Sequence, residues 1–455
     1  MVSQKMPQTT AADVIIIGAG MAGIATAHYL TRKESARKVI LVDALAPMSL
    51  TSAQSGENYR NWWTHPVMTD FIDRSIDMLE GIAEDSSNRI HLTHRGYALA
   101  TRQDDITELM SALSRGYGTN AADLIRIRDR RDSGAYLSTL SEKHAGVDVI
   151  TDPGTIRRAF PAFDPEIRHV IHIRRAGDLD SHQLSQYWLE KFRTHGGILV
   201  RGEVAEIRGH PPFQISLSDQ RRLSADRLVI AAGPFVNSLL AQLGEQLPVR
   251  NLLQHKLAFE DVLEAIPREQ PFAVDLDPQL IDWSADERAL LAADENYKHL
   301  AGIMPGKVHR RTDSSNQRRS LELGWAYNKE FCEPSWSPAL DDTFPEIVLR
   351  GAARLNPALK GYYDKLPATK TPHGGLYTMT DENLPIIGPL QTEGVFAVAA
   401  LSGFGTMASC AAGELCALWI DGGELPAYAK HLSFQRYADP SFMTSLTLSD
   451  DRGVL

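Results

Sequence analysis

Near its start the chain carries the segment that constrains it most. A short all-apolar run, Val14-Ile-Ile-Ile17, is followed at once by Gly18-Ala-Gly-Met-Ala-Gly23. Four β-branched residues with no polar alternation are the pattern of a strand covered on both faces. Each glycine then has its own task. Gly18 permits a tight turn off the strand, Gly20 lets the backbone approach a pyrophosphate, and Gly23 lets helix and strand pack closely. A small-residue helix from about Ala22 to Leu30 and a second buried strand, Lys38 to Val42, complete a βαβ unit. Asp43 ends that strand 20 residues after Gly23. In this context the turn Gly18, Ala19, Gly20, Met21, Ala22, Gly23 reads as a dinucleotide site. The phosphates sit on a helix N-terminus, and Asp43 takes the ribose hydroxyls. An acid there repels a 2′-phosphate, which disfavours NADP and leaves FAD and NAD.

The 455 residues set an upper bound of about three domains. A hydrophobic content of 43% with 23% charged residues excludes wholesale disorder. Lys and Arg number 47 against 57 Asp and Glu, a net charge of −10, so no nucleic-acid partner is expected. Cys332, Cys410 and Cys416 cannot build a disulfide framework and suit a reducing cytosol. The polar first dozen residues lack the features of a signal peptide. A cytoplasmic location is the expectation. Two apolar stretches, Val14 to Leu30 and Val395 to Ile420, are broken by glycines and, in the second, by Glu414. Both read as buried core, and no membrane span is expected.

Further along, strand and helix signals alternate. A polar loop, Thr51 to His65, precedes a helix from about Thr69 with Ile72, Ile76, Leu79 and Ala83 on one face. Ile90 to Thr101 alternates like a strand, and Ile106, Leu109, Met110 and Leu113 mark another helix. Thr119 to Gly154 is charged and has no clear assignment. Ser181 caps a helix to about His195, ended by Gly196-Gly197. Short strands recur from Ile198 to Ile230. Strand-like segments with polar loops fill Pro248 to Pro372, interrupted by a helix over Pro345 to Leu355. A strand, Val395 to Ala399, and a helix, Met407 to Ile420, close the pattern. Nucleotide-type signals therefore lie at the start, middle and end of the chain.

Four segments, in order, resemble the FAD-dependent amine and amino-acid oxidoreductases, the family of D-amino-acid, glycine and sarcosine oxidases. They are DVIIIGAGMAG with Asp43, DRLVIAAGPFVNSLLAQLG (Asp226 to Gly244), YTMTDENLPIIGP (Tyr377 to Pro389) and ALSGFGTMASCAAGE (Ala400 to Glu414). The resemblance implies FAD as the tight cofactor. It assigns Val204, Ala232 and Gly233 to the cofactor. It also places the turn Gly403, Phe404, Gly405, Thr406, Met407 at an edge of the flavin, where a helix N-terminus stabilises negative charge. In TSAQSGENYRNWW, Thr51, Ser52 and Ser55 become phosphate donors, with Asn58, Tyr59 and Arg60 near the reactive edge. Arg60 is the candidate cation for a substrate anion or for the flavin. Trp62 and Trp63 read as core packing.

The chain departs from the family pattern at several points. Gly375 stands where some members attach flavin through Cys, so non-covalent FAD is expected. Phe404 and Met407 replace a His and a substrate-holding Lys, which leaves Arg60 or His255 to hold a carboxylate, or else a plain amine as the substrate. Glu322, in SLELGW, aligns with a Lys that promotes reaction with oxygen. This favours another electron acceptor, or a contact between Glu322 and the substrate ammonium. His255, Tyr297, His309, Trp325 and Tyr377 fall in the presumed substrate domain, where aromatic residues suit a desolvating cavity. The basic run Lys307 to Arg319 reads as a solvated hairpin loop. With no HExxH, CxxC or GxSxG, neither a metal site nor a serine nucleophile is expected.

The expected fold is α/β: a Rossmann-type FAD-binding domain from residues 1–90, 171–247 and 373–430, and a substrate domain with a mixed or antiparallel sheet from 91–170 and 248–372. Residues 431–455 form a tail. The expected function is oxidation of an amine or amino acid by hydride transfer from the α C–H to flavin N5, giving an imine. The catalytic set is Arg60, Glu322, His255 and Tyr377, with oxygen or another acceptor completing the cycle. A hydroxy-acid dehydrogenase or tailoring oxidase on the same scaffold, and a non-catalytic flavin-binding redox sensor, remain open.

Overall fold

The computed structural model describes residues 9–32, 37–140, 142–313 and 319–447. Two large sheets organise the chain. The first has eight strands. Its path runs Val204–Arg208, Phe213–Leu217, Arg222–Ile230, Thr10–Ile17, Val39–Asp43, Ile198–Arg201; Val395–Ala399 pairs with the end of Arg222–Ile230, and Ile386–Pro389 pairs antiparallel with Val395–Ala399. The pairings around Thr10–Ile17 are parallel. Successive residues of this strand face opposite ways, so Val14 and Ile16 enter one core and Ile15 and Ile17 another. That is why the run carries no polar residue.

One face of this sheet is covered by the helices Met21–Leu30, Pro66–Asp85, Ser181–Thr194 and Gly405–Asp421. The first and last of these approach so closely that a Cβ on Gly413 would lie 2.6 Å from the Ala25 carbonyl carbon. Helix starts differ slightly from expectation. Asp180, not Ser181, is the N-cap of Ser181–Thr194 and accepts the Gln183 N–H at 2.9 Å. Pro66 opens the helix expected from Thr69.

The second sheet has ten strands. Its path runs Phe331–Cys332, Arg250–Glu260, Ser320–Gly324, Val308–Thr312, Phe272–Asp275, Tyr97–Thr101, His169–Ile173, Val147–Ile150, Ile125–Arg128. Thr371–Met379 pairs antiparallel with the other edge of Arg250–Glu260. The unassigned stretch 119–154 thus supplies two strands. The expected boundary after residue 170 divides the strand His169–Ile173, which pairs along its length in this sheet. The boundary before residue 373 likewise divides Thr371–Met379.

The basic run is not a solvated loop over its first half. Val308–Thr312 is an internal strand, and Arg310 is buried, donating to the Pro271 carbonyl at 2.6 Å. The rest of the expected loop, 314–318, lies outside the described residues. The described tail packs on the first core through Leu432 and Phe442, and the buried Arg436 bonds Glu382 at 2.7 Å. Among the described residues no helix is long and apolar enough to cross a membrane.

Candidate active site

A cleft of about 460 Å³ opens at the C-terminal ends of the parallel strands, lined by Ile17, Asp43, Ala231 and Ala399 where those strands finish. This is where α/β sheets bind ligands. At its floor Gly18 has φ +111, and a Cβ there would stand 2.3 Å from the Ala231 oxygen. A Cβ on Gly23 would stand 1.8 Å from the Gly18 oxygen. Both positions must be glycine for the turn to sit on its strand. Gly18, Ala19, Gly20, Met21 and Ala22 line the cleft, and the Met21 N–H donates to Ser52 Oγ at 3.0 Å.

Asp43 lines the same end. Its carboxylate accepts the Ala19 N–H at 2.6 Å and the Leu45 N–H at 2.8 Å. Burial raises its pKa, and those two N–H groups work against the rise. A carboxylate has about four acceptor positions, so lone pairs remain for hydroxyl groups. Val204, Ala232 and Gly233 continue the wall, and Thr51 and Ser52 form the opposite side. Thr51 donates to the Leu376 carbonyl at 3.1 Å.

The far end is the turn Ala400 to Thr406. Ala400 and Ser402 have φ of 58 and 44, a conformation that costs non-glycine residues about 1–3 kcal/mol and concentrates at functional sites. Gly403 is bare because Tyr377 occupies its side-chain space, with Cε2 2.4 Å from where a Cβ would sit. Tyr377, Gly403, Gly405 and Thr406 line the cleft, and Thr406 Oγ1 bonds Ser55 Oγ at 2.7 Å. Phe404 and Met407 turn inward to the first core. The Phe404 ring meets Trp63 edge-on at 4.9 Å.

Above this end stands one face of the ten-stranded sheet. Strand alternation puts Gln254 and Lys256, Glu322 and Gly324, His309 and Arg311, and Phe272 and Tyr97 on it. Tyr97 stacks on Phe272 at 4.5 Å, and Phe272 on His309 at 5.3 Å. Arg60, only 3% exposed, lies 4.4 Å over the Trp63 ring and 5.2 Å over that of Tyr97. The Tyr97 hydroxyl is buried and has no hydrogen-bond partner among the described residues. Burial, partly offset by the Arg60 cation, pushes it up to about 12.

Glu322 is also on this face and is buried. Lys256 Nζ lies 3.3 Å away, His373 3.4 Å and Arg311 3.9 Å. Lys256 in turn donates to the Gln54 carbonyl at 3.1 Å. An ammonium therefore does stand beside the cleft loop, brought from the neighbouring strand. The expectation of a non-oxygen acceptor, which assumed an unaccompanied carboxylate, loses its premise.

Several expected residues lie elsewhere. His255 points to the other side of its strand, where Nε2 accepts the Asp341 N–H at 3.2 Å and the ring meets Phe344. Tyr59 is core, its hydroxyl donating to the Thr93 carbonyl and contacting His94. Asn58 is not among the cleft-lining residues but stands over Gly56, close to Lys256. Trp325 is buried against Gly351, and Tyr297 is exposed. Lys256, Tyr97, Phe235 and Trp336 were not anticipated. Only Lys256 and Tyr97 had a signal, the period-two placement of polar or aromatic residues within an apolar strand.

The glycine floor and a helix N-terminus at each end supply backbone donors, and Asp43 supplies an acceptor, a combination that suits a dinucleotide. Among the described residues lining the cleft there is no Lys or Arg; the groups there that suit phosphates are backbone amides at helix N-termini and the Thr51 and Ser52 hydroxyls. A family model described as "FAD dependent oxidoreductase" (DAO) matches residues 13–419, and the chain belongs to that family.

Mouse (Mus musculus) mitochondrial dimethylglycine dehydrogenase is 23% identical over 439 residues, 94% of this chain and 44% of that protein. The rat (Rattus norvegicus) enzyme is 22% identical over 439 residues, 94% of this chain and 45% of that protein. The chain thus spans less than half the length of these relatives. Among solved structures, L-proline dehydrogenase from P. horikoshii is similar in fold, with TM-score 0.72 and 16% identity over 95% of this chain and 99% of that one. Glycine oxidase from Geobacillus kaustophilus follows, with TM-score 0.70 and 16% identity over 94% and 99%.

Proposed function

We propose that the chain oxidises an amine or amino acid at its carbon–nitrogen bond, with FAD held non-covalently in the cleft. The observation that carries this reading is Arg60, a guanidinium buried between Trp63 and Tyr97 and linked by Trp63 to the turn at the cleft's far end. The relatives lend support, being named for dimethylglycine, proline and glycine. All three are small amino acids with a carboxylate beside the nitrogen-bearing carbon.

In this reading Arg60 takes the carboxylate, as a planar fork suited to it. Tyr97 adds a second donor. A buried hydroxyl without a partner is costly, so an arriving carboxylate oxygen relieves it. With its pKa pushed up to about 12, the phenol keeps its proton. The row Tyr97, Phe272, His309 forms an enclosing aromatic wall. Enclosure lowers an amine's pKa and so favours the neutral form, whose lone pair is needed to form the imine. His309 adds no charge there, since burial first and the Lys256 cation second hold it near pKa 4. Its Nδ1 faces the Lys307 carbonyl at 3.2 Å. FAD, when bound, supplies the two-electron acceptor. No cysteine or histidine occurs among the described residues lining the cleft, which suits non-covalent attachment. The three cysteines are all free, in keeping with the cytoplasmic location that belongs to this proposal.

The test is anaerobic bleaching of the yellow enzyme with panels of amino acids, amines and hydroxy acids. Arg60→Gln should lower kcat/KM for the carboxylate-bearing amine by about a hundredfold, the scale expected on removing one partner of a buried charge pair. The flavin spectrum should be retained, and amines without a carboxylate should lose little. Bleaching by hydroxy acids alone, or an equal loss for all amines, overturns the assignment.

A further inference from the structure

One large aromatic residue lies outside everything assigned so far. Trp336 is 49% exposed, an unusual degree for tryptophan, yet it lines the cleft together with Gly18, Ser52 and Tyr377. It sits in the segment joining the strand Ser320–Gly324 to the helix Phe344–Leu355, on the side of the ten-stranded sheet. Its indole stacks on the Phe235 ring at 4.2 Å and 23°. Phe235 belongs to the turn after Arg222–Ile230, on the eight-stranded sheet. The two rings therefore meet across the mouth of the cleft, one from each sheet.

The segment is tied at both ends. On the near side Asn328 donates to the Leu253 carbonyl at 3.0 Å and accepts from Gln254 at 3.2 Å. Phe331 and Cys332 pair with Leu252 and Asn251. On the far side the Asp341 N–H donates to His255, which gives that histidine a place in the structure. Between the ties the sequence is Pro334-Ser-Trp-Ser-Pro338. Prolines on either side restrict the backbone and reduce the entropy lost in holding Trp336 in position.

We propose that residues 328–341 form a strap whose Trp336, seated on Phe235, retains FAD in the cleft. A dinucleotide bound there cannot leave along the open side without parting the two rings. The strap thus acts mainly on cofactor release, and His255 is a positioning residue for it, not a catalytic one.

The test uses the FAD-loaded protein. Release is followed by the recovery of free-flavin fluorescence after dilution, and uptake by quenching of tryptophan fluorescence in the apoprotein. Trp336→Ala and Phe235→Ala should each speed release on the order of tenfold, the scale of a lost aromatic stack plus its buried area. Trp336→Phe should restore most of the retention. The quenching on uptake should be smaller in Trp336→Phe than in the native protein. Thermal midpoints of the apoproteins should agree, which separates release from misfolding. Release rates within about twofold of the native protein in both alanine variants would overturn the strap. That result would leave the amine-oxidation reading untouched, because bleaching by substrate is measured separately.

Discussion

Gly23→Ala should yield a colourless protein. The added methyl would fall 1.8 Å from the Gly18 oxygen. Gly18 directly follows a strand held on both sides by parallel neighbours, and its own N–H donates to the Val42 carbonyl at 2.8 Å, so the atom has no easy retreat. The helix Met21–Leu30 must lift from the sheet instead. It is packed tightly against Gly405–Asp421 at Gly413 and Ala25, so the lift spreads. Overpacking of this kind costs about 1–3 kcal/mol even where side chains can yield, and backbone yields less. The Met21 N–H and Ser52 Oγ would separate, taking the helix N-terminus away from the phosphates. Gly20→Ala is the graded control. Its methyl meets Ser52 Oγ at 3.0 Å, the tip of a side chain, so FAD should still bind, more weakly. Visible absorbance of the purified proteins and the thermal shift on adding FAD measure both. A Gly23→Ala protein as yellow as the native one would refute the placement of the cofactor on this turn.

The glycine turn was legible because its demands are largely local. Positive φ at Gly18 and close backbone approach at Gly18 and Gly23 leave glycine as the choice there, and one partner strand lies within the same βαβ unit. The residues beside the cleft's far end were not legible in the same way. Asn58, Tyr59 and Arg60 lie on one strand, so the middle side chain must face away from its neighbours. Which side faces the core is decided by pairing with Ala176–Asp178, remote in sequence. The same alternation separates His255 from Lys256. Sequence alone marks the two faces of Arg250–Glu260 as different, but the helix Phe344–Leu355 decides which is outer. The basic run misled because charge was read as exposure. Arg310 is buried because the Pro271 carbonyl and Asn356 receive its guanidinium. Trp336 had no local sign at all, since its partner Phe235 is brought by the other sheet.

Glu322→Gln should cost about 3–5 kcal/mol of stability at neutral pH, the range for breaking a buried pair from one side. The carboxylate is met by Lys256, Arg311 and His373. Its removal leaves two permanent cations facing each other within a sheet that shields them little from one another. Burial by itself would raise the carboxyl's pKa. Lys256 and Arg311, with the His373 bond, outweigh that and hold it well below the usual carboxylate range. The sign of the pH effect follows. A depressed folded value contributes stability that is fully present above the unfolded value of about 4.3 and is lost as pH falls through that value towards the folded one. The gap between the native and Glu322→Gln thermal midpoints should therefore be widest near neutrality and narrow below about pH 4. Adding Lys256→Met should recover part of the loss, since it removes one of the stranded charges, and the double-mutant cycle measures the coupling. Equal midpoints at pH 7, or a gap that widens in acid, would mean that Glu322 does not hold this face of the sheet together.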